Sequence, residues 1–526
     1  MTGLPSPATT ALWSLAIVLQ VLLLVRAQDL NALREALAQA GVQAVFPGDE
    51  TYANASAAYN TRYTIYPVAV TYPSTSEQVS AVVSAGAAQG LDVTTRSGGH
   101  SYVAGGLGGK NGSLVVDLGS FKSIEVDEET DTVTVGPGAR LGDVARILND
   151  YGRALPHGRC TTVGVGGHAT GGGWGHHSRM WGLLLDRAVA ETVVLSNGSI
   201  VTASEEDNAD LFWGLRGAGA SLGIVTSFVF ATEPVPPLGG TTFQYNWNMT
   251  AAEAAASLST FQDFVQSGIP ATLGGELILS KGTVPGNIGV QFMGVHWDDP
   301  ATFNDTIAPY MSLFRQPDSS NVTSGDWITV LAAWAFGNLD TSTMAPYSDA
   351  FYAKSLLTPE REGISGKAID AFVNYLATDG FDSDVTWFAE IELYGGSNSA
   401  LNAVPLDKTA FAHRDKLFNM QLYATTVSWE PPFSEDGLAF VDGQSTWFLM
   451  REVTHLVPLK RQEWRIASFR MRRQWPYGAY VNYPDDRLDN WQELFYGDHY
   501  ERLTELKRTY DPQNVFNFPH SVELSS

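Results

Sequence analysis

Residues 158–178, which read GRCTTVGVGGHATGGGWGHHS, decide how this chain folds, together with residues 96–109, which read RSGGHSYVAGGLGG. Neither stretch has the glycine spacing of a dinucleotide-binding helix start, and neither ends in the Gly-Lys-Ser/Thr of a P-loop. Both let the backbone approach a ligand closely and leave N–H groups free for anionic oxygens. One such run is more often a connecting turn, but two runs that each carry a reactive side chain favour a pyrophosphate site.

Short β-branched segments alternate with helical ones around these glycine runs, over residues 66–235, which is typical of α/β structure. From about residue 240 to 475, longer alternating segments separate helices, which indicates an α+β unit with a large antiparallel sheet. The fold class predicted for the whole chain is α+β. Strands are predicted at 66–70, 93–96, 114–117, 132–135, 287–296 and 387–393. Helices are predicted at 74–89 (with Ser76 as its N-cap), 141–151, 251–265 and 500–509.

The composition excludes several classes of protein. The 526 residues include 56 acidic and 32 basic ones, and the net charge of −24 argues against nucleic-acid and anionic-membrane partners. With 44% hydrophobic and 17% charged residues the chain is not disordered, and its length predicts more than one core. The single cysteine excludes a disulfide framework and cysteine-based zinc sites, and no metal site is predicted.

The N-terminus is interpreted as a targeting segment. An apolar run over residues 8–25 precedes Arg26 and Ala27, which predicts a signal peptide over residues 1–27 and a secreted, extracellular protein without a membrane anchor after cleavage. A short membrane anchor is the alternative, because the first residues carry no Lys or Arg. Six glycosylation sequons support export, at Asn54, Asn111, Asn197, Asn248, Asn304 and Asn321.

Six motifs together give the chain a specific family resemblance. They are RSGGHSY (96–102), GRCTTVGVGGHATGGGWG (158–175), ADLFWGLRGAGASLGIVTSF (209–228), AHRDKLFNMQLY (412–423), YVNYPD (480–485) and YDPQNVF (510–516). With them the chain resembles the berberine bridge enzyme-like branch of the vanillyl-alcohol oxidase flavoproteins, and most of all its secreted oligosaccharide oxidases. The resemblance implies a monomer with a two-part FAD-binding domain, residues 28–240 and 476–526, and a substrate domain between them, residues 241–475.

The resemblance implies that FAD is held by two covalent bonds, from His100 to the flavin 8α-methyl group and from Cys160 to flavin C6. A lone cysteine is more often an inert buried thiol, but an unpaired one is unusual in an exported protein, and a flavin thioether would explain it. Both bonds would raise the flavin potential. The other implied flavin contacts are Arg96, Ser97, Gly98, Gly99, Ser101, Val163, Gly164, Gly166, Gly167, His168, Gly171, Gly172, Gly223, Ile224, Val225, Asn514 and Phe516.

Oxidation of a sugar at its anomeric carbon removes a hydride from carbon and a proton from oxygen, so the protein must supply a base. The resemblance implies Tyr480 as that base, with Tyr483 as its rival, and Glu392 as the carboxylate that accepts the phenol proton. Glu390 shares a strand face with Glu392, and two acids in an apolar segment are costly unless they serve a site. A solvated sheet face is the alternative.

Substrate, oxidant and function class also follow from the resemblance. The substrate-binding residues expected are Tyr102, Gln421, Glu390, Trp174 and Tyr483. The small Val163 favours access of molecular oxygen and release of hydrogen peroxide, although a core valine without such a role is the alternative. Three other functions stay open: an oxidase of a secondary metabolite, a dehydrogenase with another acceptor, and a binding protein with a vestigial flavin site.

Overall fold

A computed structural model of the protein describes residues 30–335, 337–343, 348–453 and 477–525. The predicted signal peptide lies outside the described residues. Within these ranges, no helix is both long enough and apolar enough to cross a membrane.

The first half of the chain builds two main sheets. Its strands are β1 Gln43–Val45, β2 Ala69–Tyr72, β3 Val93–Arg96, β4 Leu114–Asp117, β5 Ile124–Asp127, β6 Thr132–Val135, β7 Arg153–Ala154, β8 Ala188–Val194, β9 Ile200–Ser204, β10 Ile224–Ala231 and β11 Glu233–Pro234. The first sheet has the order β1-β2-β4-β3, with β2, β4 and β3 parallel, and the second has the order β5-β6-β10-β8-β9 and is antiparallel throughout. Strands β7 and β11 pair separately. The helices of this half are 30–39, Tyr52–Ala55, Ser76–Ala88, Leu141–Asp150, Val165–Gly171, Ser178–Trp181 and Ala209–Ala218.

Local sequence accounts for most of these elements. The β-branched runs VTTR, LVVD and TVTV form β3, β4 and β6 with the predicted bounds. The first predicted strand instead begins at Ala69. The N-cap prediction was wrong: Thr75 has the extended backbone of a cap and its hydroxyl accepts from the Gln78 N–H, whereas Ser76 is already helical.

The second half builds the large antiparallel sheet that the sequence predicts. Its seven strands are β12 Gly240–Thr250, β13 Leu273–Lys281, β14 Asn287–His296, β15 Ser319–Gly325, β16 Phe351–Pro359, β17 Val385–Leu393 and β18 Lys416–Thr426, in the order β15-β12-β14-β13-β17-β18-β16. A capping box of Thr250 and Glu253 begins the helix Ala251–Gln266. This helix and Gly366–Asp382 pack on one face of the sheet around a common apolar core, so the opposite face is left for the site. The other helices are Phe303–Met311, Trp327–Trp334, Ala400–Ala403 and Glu435–Val453.

The C-terminal segment returns to the first half of the chain. Its helices Trp491–Tyr496 and Tyr500–Tyr510 share a core with β6, β8 and β10. The buried Lys507 ammonium donates to the Asp511 carboxylate, which also accepts from the Phe516 N–H. The YDPQNVF motif therefore anchors the end of the chain.

A buried carboxyl in the second sheet predicts how stability depends on pH. Glu191 is 3% exposed, its Oε2 has no hydrogen-bond partner among the described residues, and burial raises its pKa to about 8, although the charge of Arg216 opposes this. An acid whose pKa is higher in the folded state binds a proton on folding. Its contribution is complete below the unfolded pKa of about 4.3 and is lost as the pH rises toward 8.

We therefore expect Glu191→Gln to unfold a few degrees above the wild type at pH 8.5 and close to it at pH 4. Thermal unfolding followed by circular dichroism at both pH values measures this difference. Glu128→Gln, at an exposed position, is the control and should follow the wild type at both. Equal unfolding temperatures for Glu191→Gln and wild type at pH 8.5 would show that folding does not raise the pKa of this carboxyl.

Candidate active site

One large cavity, of about 790 Å³, lies between the two halves of the fold. The two glycine-rich runs line one wall, and the open face of the large sheet lines another through alternate residues of β17 and β18. The segment 480–483 completes the lining. The residues between the lining positions, such as Ile391 and Leu422, pack in the core on the other face of the sheet.

The glycine runs approach each other so closely that side chains are excluded. A Cβ on Gly98 would clash with the Gly164 nitrogen of the other run, and one on Gly171 would clash with Asn482 of the segment 480–483. At Gly167 a Cβ would instead meet nothing within 4 Å, where the chain borders the cavity. A cradle of bare backbone around an open space fits the pyrophosphate of FAD.

One arginine joins the two glycine runs, and another lies in the cavity wall. Arg140, which sequence reasoning missed, donates at 2.7 Å to the carbonyls of both Gly98 and Thr162 and so ties the two runs together. Arg96 lines the cavity, but its guanidinium is bound to the Asp117 carboxylate at 2.6 Å. The Asp117 carboxylate therefore balances the charge of Arg96.

The two predicted flavin-linking residues both line the cavity. Burial, followed by the charge of Arg140, lowers the pKa of His100 to about 4, so its imidazole is neutral and keeps a free lone pair at neutral pH. Cys160 is exposed and lies in the cavity wall as a free thiol. A neutral imidazole and an accessible thiol have the chemistry that bond formation to a flavin ring requires.

Tyr480 lines the cavity and is 2% exposed. Three N–H groups donate hydrogen bonds to its phenol oxygen. Its phenol oxygen accepts from the backbone N–H of Gly173 at 3.0 Å, from that of Trp174 at 3.1 Å and from the Asn482 amide at 3.2 Å. A neutral phenol oxygen also carries its own hydrogen, so three donors suit a phenolate better. Burial still raises the pKa of Tyr480 to about 12, against the lowering effect of these bonds.

The expected pairing of Glu392 with Tyr480 is wrong. Glu392 is 2% exposed and accepts a hydrogen bond from the Tyr483 hydroxyl at 2.9 Å and another from the Asn419 amide. Each Glu392 oxygen is thus engaged by a partner other than Tyr480, and the Tyr480 oxygen itself accepts from three other donors. The alternative of a solvated sheet face is also wrong for Glu392.

Three carboxylates meet in the cavity where sequence reasoning found two. Glu276, on β13, is directly opposite Glu392 on β17, and one oxygen of each of these and of Glu390 lies within 4.8 Å of the others. Glu276 is bound by Arg159 at 3.2 Å and by His176 at 3.4 Å. A single acid in the apolar run LGGELILS was the signal that could have revealed it.

The remaining predicted substrate residues form an aromatic wall. Gln421 donates to the Tyr102 hydroxyl at 2.9 Å, and the Tyr102 ring stacks on Tyr483 with a centroid distance of 5.6 Å. Trp174 is 6% exposed, and its indole Nε1 has no partner among the described residues. The half-exposed Trp429 also lines the cavity.

Most of the predicted flavin contacts line the cavity, and four do not. Ile224, on β10, and Phe516 are each 1% exposed and pack together in the core behind the first sheet, where the turn at Asp511 directs Phe516. Asn514 lies in the same turn, with its Oδ1 buried and unpartnered among the described residues. Gly172 lies behind Tyr480, where a Cβ would come within 2.8 Å of the tyrosine ring. The predicted residues that line the cavity are Arg96, Ser97, Gly98, Gly99, His100, Ser101, Cys160, Val163, Gly164, Gly166, Gly167, His168, Gly171, Gly223 and Val225.

Family models match the parts of the chain that build the cradle and the tyrosine segment. A model described as FAD binding domain matches residues 67–204, and one described as berberine and berberine like matches residues 479–523. Chitooligosaccharide oxidase from Gibberella zeae is 34% identical over 499 residues, which cover 94% of each chain. The chain belongs to the berberine-like family of FAD-linked oxidoreductases.

Membership in this family confirms the predicted resemblance, the fold class and an FAD-binding oxidoreductase. The FAD-linked oxidoreductase dpmaF from Metarhizium anisopliae is also 34% identical, over 94% of this chain and 92% of its own. Among solved structures, glucooligosaccharide oxidase from Acremonium strictum, which carries a 6-S-cysteinyl, 8α-N1-histidyl FAD, superposes with a TM-score of 0.80. It is 32% identical and covers 94% of this chain and 100% of its own.

Proposed function

We propose that this protein is a secreted oxidase that converts the anomeric hydroxyl of an oligosaccharide into a lactone and passes the electrons to oxygen, which gives hydrogen peroxide. The observation that carries this proposal is the Tyr480 phenol oxygen, held under three N–H donors in the cavity that His100 and Cys160 also line. Relatives named as oligosaccharide oxidases support the substrate class.

In this proposal FAD is bonded to both His100 and Cys160, and the glycine cradle holds its pyrophosphate. When bound, the flavin supplies the two-electron acceptor for the hydride that leaves the anomeric carbon. Tyr480 takes the proton from the anomeric hydroxyl, because the donors around its oxygen stabilise a phenolate. Since burial keeps the pKa of Tyr480 at about 12, proton removal is expected to become faster as the pH rises through the neutral and alkaline range.

The cavity lining distinguishes a sugar from a small apolar aromatic substrate. Phe388 and Tyr423 stack with a centroid distance of 4.8 Å on the sheet side of the cavity, and flat aromatic faces suit the C–H surfaces of pyranose rings. The carboxylates beside them accept hydrogen bonds, which a hydroxyl-rich ligand supplies. Oxidation of a secondary metabolite stays the second candidate, because the relative dpmaF is named as an FAD-linked oxidoreductase and not as an oligosaccharide oxidase.

The experiment that tests the function is anaerobic mixing of the purified protein with a panel of oligosaccharides, with flavin bleaching as the signal. We expect at least one oligosaccharide to bleach the flavin within seconds, and hydrogen peroxide to accumulate once air is admitted. If no sugar bleaches the flavin while a small aromatic alcohol does, the second candidate replaces the first.

Secretion is part of this proposal. The predicted sequons Asn54, Asn111, Asn197, Asn304 and Asn321 are exposed, as glycosylation requires, and Asn248 is half-buried. N-terminal sequencing of protein from the culture medium should begin at Gln28.

We expect Val163→Leu to separate the two halves of the catalytic cycle. Val163 follows Cys160 by three residues, lines the cavity and packs against the core of the first half. One added methylene must therefore enter the cavity. Anaerobic reduction by sugar should stay nearly intact, while the rate of oxygen consumption falls by orders of magnitude and an artificial dye still supports turnover. Stopped-flow reduction and an oxygen electrode measure the two rates, and unchanged oxygen consumption would show that Val163 does not control oxygen access.

A further inference from the structure

The carboxylate cluster of Glu276, Glu390 and Glu392 has fewer counter-charges than acids. Arg159 and His176 each form an ion pair with Glu276. Glu392 is held by neutral donors, the Tyr483 hydroxyl and the Asn419 amide. Glu390 lines the cavity and accepts no hydrogen bond from the described residues. The cluster therefore presents acceptors that the protein itself leaves unsatisfied.

Two fully buried side chains beside the cluster independently indicate a ligand. His176 is 1% exposed and lines the cavity; its Nε2 lies 3.4 Å from the Glu276 carboxylate, and its buried Nδ1 has no partner among the described residues. The Trp174 ring lies 5.6 Å from the His176 ring, and its unpartnered Nε1–H is a donor. These unpaired atoms, together with the acceptor oxygens of the cluster, call for a ligand that donates several hydrogen bonds and also accepts one.

We propose that this cavity selects oligosaccharides whose reacting sugar carries a free amino group at C2, of the glucosamine type. An ammonium group has three donors and no acceptor, which suits the oxygens of three neighbouring carboxyl groups. The inference rests on the proposed function, because C2 is bonded to the anomeric carbon that would react.

One sugar ring can place its C2 substituent at the carboxyl cluster and its anomeric hydroxyl at Tyr480. Glu392 is hydrogen-bonded to Tyr483, whose ring lies 5.1 Å from the Tyr480 ring. An ammonium on C2 in the cluster would therefore direct the neighbouring anomeric hydroxyl toward Tyr480. A divalent metal ion is the rival occupant, but the Arg159 guanidinium already beside Glu276 opposes a second full charge more than it opposes a single one.

The protonation of the carboxyl cluster gives a second signature of the ligand. Burial, and then the charge of Glu276, raises the pKa of Glu390 to about 8; burial and both neighbouring acids raise that of Glu392 still further. Burial also acts on Glu276, but the hydrogen bond from His176 and the charges of His176 and Arg159 lower its pKa overall. Glu390 therefore holds a proton at pH 6, and a bound ammonium should displace it.

The first test compares three trisaccharides in anaerobic flavin reduction: the glucosamine trimer, its N-acetylated form and cellotriose. We expect the ratio of the limiting rate to Kd to be about 10- to 100-fold higher for the free amine, the range of one charge-assisted hydrogen bond. Glu390→Gln should abolish this preference whatever its effect on absolute rates. The exposed Glu128→Gln is the matched control and should keep the preference.

The second test needs no turnover. Binding of 2-amino-1,5-anhydroglucitol, which lacks the reacting hydroxyl, is measured by calorimetry at pH 6 in two buffers of different ionisation enthalpy. We expect release of about one proton for the amine, because the Glu390 pKa lies near 8, and none for 1,5-anhydroglucitol. Glu390→Gln should lose the proton release.

The alternative outcomes of these tests overturn either the amino-sugar inference or the proposed function. Equal reduction by cellotriose and the amine would overturn the amino-sugar inference while the proposed function stands. A stoichiometric divalent ion in the purified protein, lost together with amine binding in Glu390→Gln, would assign the cluster to a metal and overturn the inference. Failure of every sugar to reduce the flavin would overturn the proposed function, and this inference with it.

Discussion

Replacement of Tyr480 by phenylalanine is expected to lower the rate of sugar-driven flavin reduction by about 10²–10⁴-fold, the usual range for a lost general base. The phenol oxygen is the only part removed, and the ring volume is nearly conserved, so the fold and the bound flavin should be retained. Stopped-flow absorbance under anaerobic conditions measures the rate, and the visible spectrum checks the flavin content.

The pH profile and Tyr483→Phe provide the controls. In the wild type the reduction rate should rise with pH, because burial raises the pKa of Tyr480 to about 12 and the base must lose its proton before it can accept one. In Tyr480→Phe this rise should disappear. Tyr483 donates its hydrogen to Glu392 and is not free to act as a base in the same way, so Tyr483→Phe should slow reduction less. The reverse order of the two variants would transfer the role of base to Tyr483.

The second large effect concerns the flavin bonds. In denatured wild-type protein we expect all of the flavin to stay with the polypeptide after acid precipitation. His100→Ala and Cys160→Ala should each keep it through the other bond, because both residues line the same cavity. The double variant should release all of it into the supernatant. Absorbance at 450 nm of pellet and supernatant, with mass spectrometry of the flavin-bearing peptides, measures the distribution.

A fourth variant, Gly167→Ala, distinguishes loss of the covalent bonds from damage to the glycine cradle. Gly167→Ala places a Cβ into the open space of the cavity without contact to protein atoms, so it should weaken flavin incorporation while the fold is kept. Free flavin released from the wild type by acid would show that neither His100 nor Cys160 forms a bond. Free flavin from only one of the two single variants would show a single bond, to the residue replaced in that variant.

Local patterns in the sequence predicted much of the fold. Strands β3, β4 and β6 have their predicted bounds because short β-branched runs between turns determine them without help from distant residues. Strand alternation placed Glu390 and Glu392 on one face, and both line the cavity. The family resemblance predicted that His100, Cys160 and Tyr480 belong to one site. Residue patterns alone did not predict this.

Contacts between distant strands were decided only by the tertiary structure. Glu276 faces Glu392 because β13 and β17 are neighbours in a particular register, and a shift of one residue would turn Glu276 to the core face. The tertiary structure also decided the positions of Tyr483 and Phe516. Tyr483 donates to Glu392 the hydrogen bond that the sequence analysis expected from Tyr480. A turn at Asp511 directs Phe516 into the core. The sequence by itself determined which residues are reactive and where strands and helices form, because these depend on side-chain chemistry and on neighbours along the chain. Which carboxylate meets which phenol was decided by sheet order and register, because these depend on packing between segments far apart in the chain.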